Sequence, residues 1–441
     1  MSSQTPTSAS LGKQLFTMTW PMLFGILSLM SFQLVDSAFI GQLGILPLAA
    51  QGFTLPIQML VIGLQVGLGI ATTAIIARAL GANQVKYSKQ LGGLVLMIGG
   101  VGIAAFCGLI WMLREPILFL LSAPDDVFAV IDDYWPHWLL SAWMGAFVYF
   151  YYSICRANGN TLVPGIMMVV TSVVNLILDP IFIFTLGLGL NGAALATTLA
   201  FGVGALIVAP LVQRKHWVSF DWRDLNVGQS LTSIGHIMGP AMVSQLLPPV
   251  SSMLATKLIA GFGAAAVASW ALGSRFEFFS IVSVLALTMS IPPMVGRLLG
   301  ANKIDDIRHL VSIACRFVLV FQFVIAVITF LASGLLAELM TSEKSVSEIL
   351  NWHLMLVPIS LGGLGICMLM VSVSNALGRA YSALTISALR LFAFFIPCLW
   401  IGSELAGLKG LFVGVLVGNL LAGICACWMY LRIIGKLEQA D

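Results

Sequence analysis

Charge is scarce in this chain. Only 9% of its 441 residues are Asp, Glu, Lys or Arg, while 59% are hydrophobic and the mean hydropathy is +1.01. A soluble domain needs far more polar surface than this, so an ordinary water-soluble fold is excluded. No basic patch points to nucleic acid. A Gly-x-x-x-x-Gly-Lys-Ser/Thr loop is missing, which removes ATP as an energy source by that route. Neither a Ser/His/Asp set nor a His-Glu-x-x-His motif is present, so nothing argues for an enzyme. The seven cysteines, Cys107, Cys155, Cys315, Cys367, Cys398, Cys425 and Cys427, sit in or beside apolar runs without metal-ligand spacing. They read as small buried apolar side chains, and no metal or cofactor is expected. Met1 to Ser10 has no basic residue before Lys13 and no cleavage site after a short apolar core, so no cleaved signal peptide is expected.

Long apolar runs are what the chain has in abundance. Twelve occur between residues 14 and 433. Runs of 18 or more apolar residues read as transmembrane helices, so the fold class is an all-α integral membrane protein. One set of loops and both tails carries fourteen Lys and Arg, the other set only Arg114, Lys344 and Lys409. The positive-inside rule then puts both termini in the cytoplasm.

The polar link between spans 6 and 7 divides the chain into an N-lobe (1–213), a cytoplasmic linker (214–228) and a C-lobe (229–441). The lobes repeat at an offset of 219: Leu80-Gly81-Ala82-Asn83 recurs as Leu299-Gly300-Ala301-Asn302, Pro21 as Pro240, Gly44 as Gly263 and Gly159 as Gly378. Six spans per half make these parallel repeats, two pseudo-symmetric six-helix bundles with a central cleft between them.

The few intramembrane charges are the functional candidates, because a carboxylate at membrane depth costs about 2.5–3.5 kcal/mol even on lenient insertion scales. Asp36 lies in span 1, which also carries Pro21, a residue that kinks a helix by removing one hydrogen bond. Asp179 and Asn175 are four apart on one face of span 5. At about 1.5 Å per residue, Asp36, Asp179 and the Thr197–Thr198 pair of span 6 all come to one level in the outer leaflet, roughly 10 Å inside the membrane. Their counterparts in the second half are Ala255 for Asp36, Cys398 for Asp179 and Phe394 for Asn175, so the scaffold does not demand the acids. Two carboxyls and an amide at one depth can take up and release a proton or hold a cation; the alternative is a polar cluster that only fixes helix packing. Gln51, Gln58 and Gln65 recur every seven residues along one face of span 2, which should face protein or water. Gln33, Gln51, Gln58, Tyr149, Tyr152, Lys257 and Arg275 are candidates for lining the cleft. Arg275 and Glu277 are two apart and make no obvious pair. Asp125, Asp126, Asp132 and Asp133 read as the solvated face of an outer loop.

Pro21 and Asp36 in span 1, the run Asn175-Leu-Ile-Leu-Asp179-Pro180, and Gly189-Leu-Asn-Gly-Ala-Ala-Leu-Ala-Thr197 resemble the multidrug and toxic compound extrusion (MATE) family, in its DinF-like branch. The resemblance covers roughly residues 11 to 435. It implies a multidrug efflux antiporter of the bacterial inner membrane, exchanging hydrophobic or cationic drugs for protons without a cofactor. Asp36, Asn175 and Asp179 match that branch's cation site, with Thr198 or its neighbour as the span 6 partner. Protonation there is implied to bend span 1 at Pro21. The NorM-like branch is associated with a sodium site built from acids of the second half. Here Lys257 occupies that region of span 7 and span 10 has no acid, which favours protons, with sodium at Asp36 and Asp179 as an alternative. A lipid-linked precursor flippase is the rival reading. The expected partners are small-molecule drugs, protons and the bilayer, with a monomeric protein.

Overall fold

The computed structural model describes residues 8–439, and no strand occurs among them. The first half contains α1 (Ser8–Gly41), α2 (Ile45–Gly81), α3 (Val85–Met112), a short α4 (Arg114–Leu120), α5 (Asp125–Ala157), α6 (Leu162–Pro180) continued by a π-helical turn (Ile181–Thr185), and α7 (Gly189–Arg214). The second contains α8 (Val227–Ala260), α9 (Ala264–Ser280), α10 (Val282–Gly300), α11 (Ile304–Met340), α12 (Lys344–Leu356), a 3₁₀ turn (Val357–Ser360) and α13 (Leu361–Ala376). It ends with α14 (Ala380–Ala388), a π-helical stretch (Leu389–Phe395) and α15 (Ile396–Glu438).

Ten helical runs among the described residues are long and apolar enough to cross a membrane. Two features reconcile ten with twelve. The 34-residue α8 has its hydropathy diluted by Gln229, Ser230, Thr232, Ser233, His236 and Gln245. The run Ala380–Glu438 is 59 residues long. At 1.5 Å per residue it would reach about 90 Å, three times a hydrocarbon core of ~30 Å. It turns instead at Ala406 (φ −143°) and Gly407 (φ 59°), giving two spans. Outward-facing side chains such as Leu206, Phe323, Leu331 and Ile424 are exposed, as a lipid-facing surface requires.

The internal repeat is written into the backbone. Gly44 and Gly263 share φ values of 107° and 99°, Asn83 and Asn302 both have 59°, and Gly159 and Gly378 have 80° and 73°. Each is a left-handed turn residue between helices, and three pairs of helices start 219 residues apart: α2 and α9, α3 and α11, α5 and α12.

By compactness the chain divides into Thr17–Met242 and a second unit, Val243–Asp441 with the described part of Met1–Phe16. In the Thr17–Met242 unit, α5 packs against α2, α3 and α7. Its aromatic face settles onto glycines. A Cβ on Gly69 would lie 2.4 Å from the Tyr149 ring, and one on Gly99 would lie 2.3 Å from Phe150. Helix α1 meets α6 backbone to backbone: a Cβ on Gly165 would be 2.4 Å from the Pro21 carbonyl oxygen. The helix runs through Pro21 unbroken, with the proline inside it.

Residues 215–226 join the halves as an extended strap laid on α3. Ser219 N–H donates to the Lys89 carbonyl (2.9 Å), the buried Gln90 amide donates to the Asp221 carbonyl (2.8 Å), and Lys86 pairs with Asp224. That pairing draws the Asp224 carboxyl below its ordinary range, through the hydrogen bond first and the ammonium's charge second. Gly92 and Gly93 make the approach achievable, since a Cβ on Gly93 would lie 2.1 Å from the Ser219 carbonyl oxygen.

One expectation is corrected here. Asp125, Asp126, Asp132 and Asp133 belong to the first turns of α5 and not to a loop. Asp125 and Asp126, in the first turn, complement the positive end of the helix dipole. Asp126 caps the Val127 N–H, Asp132 accepts from Arg114, and Asp133 accepts from Asn191 of α7.

A candidate binding cavity in the Thr17–Met242 unit

A cavity of about 320 Å³ opens within this unit, walled by α1, α2, α5, α6 and α7. Its polar lining is Gln33 and Asp36 from α1, Gln51, Thr54, Gln58 and Gln65 from α2, Tyr134, Ser141, Tyr149 and Tyr152 from α5, Thr171 from α6 and Thr197 from α7. Trp138, Phe32, Phe201 and Met168 supply the apolar wall. The seven-residue spacing along α2 delivers all three glutamines to one face. Among the described lining residues Asp36 carries the only ionisable acid, and no Lys, Arg or His lines the space.

The wall is held rigidly. Trp135, fully buried on α5, donates its indole N–H to Thr54 Oγ1 (3.0 Å), and that hydroxyl donates on to the Ala50 carbonyl (2.8 Å). Phe201 covers Gly145, where a Cβ would approach its ring to 2.9 Å.

Asp179 sits at the end of α6, fully buried, and accepts from the Asn175 amide at 2.8 Å. Pro180 and the π-helical turn follow directly, a local widening of the helix that often accompanies function. Asp179 lies within electrostatic reach of Asp36 across α1 and α6. Three buried oxygens here, Asp36 Oδ1, Asn175 Oδ1 and Asp179 Oδ1, find no donor among the protein groups. Each is an acceptor, and a buried site rich in acceptors and short of donors is costly unless a proton or a cation supplies the missing positive charge. The chemistry open to this cluster is therefore reversible proton or cation uptake.

Several residues fall elsewhere. Thr198 does not line the cavity and its neighbour Thr197 does; both hydroxyls donate to the carbonyl four residues back, Thr197 to Ala193 (2.9 Å) and Thr198 to Ala194 (2.8 Å). The residues sought in a cleft between the halves divide. Gln33, Gln51, Gln58, Tyr149 and Tyr152 surround Asp36 inside the Thr17–Met242 unit. Lys257 and Arg275 belong to the second unit, where both are exposed. Glu277 does have a partner, His353, with Nε2 2.7 Å from Oε1. His353 does not stand out from its own stretch of sequence. Its signal was the repeat itself, which sets Glu277 and His353 at the positions of Gln58 and Tyr134, both cavity-lining.

Helices long and apolar enough to cross a membrane, set around an acid-bearing cavity, fit a polytopic membrane transporter. The MatE family model matches residues 21–181 and again 240–401, two stretches whose starts are separated by the repeat offset. The chain belongs to the MatE family, the multidrug and toxic compound extrusion transporters. It is 67% identical to the Vibrio cholerae MATE transporter VcmN in its bent form, with a TM-score of 0.96 over 98% of this chain and 99% of that one. It is 30% identical to an FAD transporter of Shewanella oneidensis over 97% of this chain and 96% of that protein. It is 25% identical to the multidrug export protein MepA of Staphylococcus aureus over 94% of this chain and 92% of that one.

Proposed function

We propose that the protein exports hydrophobic, often cationic drugs across a bacterial inner membrane in exchange for protons, with both termini in the cytoplasm. The observation that carries this is a cavity walled by aromatics and neutral amides in which Asp36 is the one charge. Such a lining suits a lipophilic cation, which can stack on rings and pair with a carboxylate. A proton and the drug then compete for the same acid, which is the requirement for antiport. Asn175 and Asp179 extend the proton site, and Thr197 adds a hydroxyl. Pro21, whose missing N–H leaves α1 pliable, pivots on Gly165 when the carboxyl changes state.

The test uses inverted vesicles holding an imposed proton gradient in sodium-free buffer, with ethidium or norfloxacin added and proton release followed. Drug-triggered release in wild type, lost in Asp36→Asn, is the expected result. Release that requires a sodium gradient would move coupling to sodium at the same residues. Silence towards every dye would pass the reading to a lipid-linked precursor flippase.

A second reading has one observation in its favour, the relative named as an FAD transporter. FAD carries a pyrophosphate, which proteins hold with basic groups or backbone N–H clusters. The cavity lining offers neither Lys nor Arg, so the drug reading is preferred. FAD uptake into the same vesicles, unaffected by Asp36→Asn, would reverse that preference.

A further inference from the structure

The second unit carries a groove on its lipid-facing side whose counterpart in the first unit is filled. The groove holds about 590 Å³ and is lined by apolar residues alone, among them Leu319, Phe323, Val327 and Phe330 of α11, Gly362 of α13 and Leu420 of α15. Phe323, Val327 and Leu420 are exposed, so the groove opens towards the bilayer. It exists because α13 places no side chain at Gly362, where a Cβ would meet Leu319 at an ordinary contact distance of 3.5 Å and nothing closer. At the offset of 219, Gly362 matches Trp143 and Leu319 matches Gly100. The Trp143 indole stacks on Phe147 (centroids 5.9 Å) and donates its N–H to the Gly100 carbonyl (2.9 Å), occupying the matching space in the first unit.

A charge differs along with the volume. Arg316 stands where the first unit has Met97. It is exposed, and it precedes Leu319, Val320 and Phe323 by three, four and seven residues, on the stripe of α11 that lines the groove. Arg308, two turns earlier, pairs with Glu438 at 2.7 Å and so ties the start of α11 to the end of α15. Arg316 has no ion pair or hydrogen bond with a described residue. Counted from the Arg308–Glu438 pair, Arg316 lies about 12 Å along α11 and Trp428 about 15 Å along α15. Trp428 is exposed, with the Arg432 guanidinium 3.6 Å over its ring, an arrangement suited to the headgroup level of a membrane. The groove begins one turn deeper. It follows α11 from Leu319 to Leu331, about 18 Å, against ~15 Å for half of the hydrocarbon core. We infer that the groove binds one anionic phospholipid, with an acyl chain along α11 beside Gly362 and the phosphate on Arg316. An apolar lining by itself accepts any chain, and the guanidinium selects the charge through charge-assisted hydrogen bonds to phosphate. No carboxylate among the described residues pairs with Arg316, so a choline or ethanolamine headgroup finds no partner for its cation there. The same arginine repels the cationic drugs assigned to the cavity of the first unit.

Two readouts on the full-length protein test this, and neither depends on drug transport or on Asp36. The first is native mass spectrometry from detergent with phosphatidylglycerol or phosphatidylcholine added. One phosphatidylglycerol should be retained about tenfold more tightly than phosphatidylcholine, the value of one hydrogen bond to a charged group. Arg316→Gln should remove that preference. Gly362→Trp, which gives the groove the side chain of the first unit, should release both lipids. The second readout needs no variant and decides if either substitution fails to fold. Wild type in nanodiscs is photolysed with a phosphatidylglycerol carrying a diazirine on its acyl chain, and the adducts are mapped. They should concentrate between residues 319 and 331 and be displaced by unlabelled phosphatidylglycerol ahead of phosphatidylcholine. Equal retention of the two lipids, a preference indifferent to Arg316→Gln, retention that survives Gly362→Trp, or adducts spread evenly over the exposed helices as bulk lipid would leave them, overturns the inference.

Discussion

The two units share a backbone plan and hold opposite contents. In the Thr17–Met242 unit the space between α2 and α5 is open and lined by Gln51, Thr54, Gln58 and Tyr134. At the matching positions the second unit has Trp270, Gly273, Glu277 and His353, and there the indole and the imidazole fill the space. The position of Asp36 is taken by Ala255, fully buried in an apolar cluster with Ile259, Leu399 and Phe412. What differs is side-chain volume and charge, since the turns at Gly44 and Gly263 or Gly159 and Gly378 are nearly superimposable in φ. A duplicated scaffold can thus keep its helices in place while one copy holds a cavity and the other packs the matching space with side chains.

The comparison can be broken most decisively at Asp36. Asp36→Asn should drop drug efflux to the level of cells lacking the transporter, with the thermal unfolding midpoint preserved; retained efflux would detach function from the open unit. The reciprocal change, Ala255→Asp, should do the reverse. Placing an unpartnered carboxyl in that apolar cluster costs several kcal/mol, on the order of 2–5, so folded protein in a detergent size-exclusion profile should largely disappear. Gly165→Val is expected to cost about 1–3 kcal/mol, because the new side chain meets the Pro21 backbone. A lower unfolding midpoint together with slowed efflux would show it. The adjacent threonines sharpen the picture further. Thr197→Val should weaken drug affinity about fivefold, the value of a lost hydrogen bond of ~1 kcal/mol, and Thr198→Val should leave it unchanged. The smallest effect belongs to the strap. The pair's support is present above the ordinary carboxyl value of 3.8 and fades as pH falls through the lowered range of folded Asp224. As an exposed pair it contributes little, so Asp224→Asn should leave efflux and unfolding at neutral pH within error.

Much of this was legible before the fold was known. Long apolar runs leave little choice of architecture, and the offset of 219 carried through to the turns and helix starts. Asp36, Asn175 and Asp179 stood out because charge is rare at membrane depth, and the glutamines because a period of seven marks one helix face. Adjacent positions were harder. Thr197 and Thr198 lie about 100° apart around α7, and nothing in the sequence sets the rotation of that helix finely enough to choose. His353 was hidden for a different reason: a lone histidine in an apolar stretch looks like a packed core residue until its partner 76 positions away is known. The acids of α5 were misread because a helix can extend beyond the bilayer without any change in its polar pattern.

The strap across Gly92 and Gly93 has a bearing on how the gene tolerates change. Residues 215–226 are the seam between the two stretches that the family model matches. The seam is fastened largely by its main-chain atoms, the Ser219 N–H and the Asp221 carbonyl, which every residue type except proline at the donor provides. Its own letters are therefore cheap to rewrite, while the two glycines beneath it are not. Mutational drift should collect on the strap and stop at the helix it lies on.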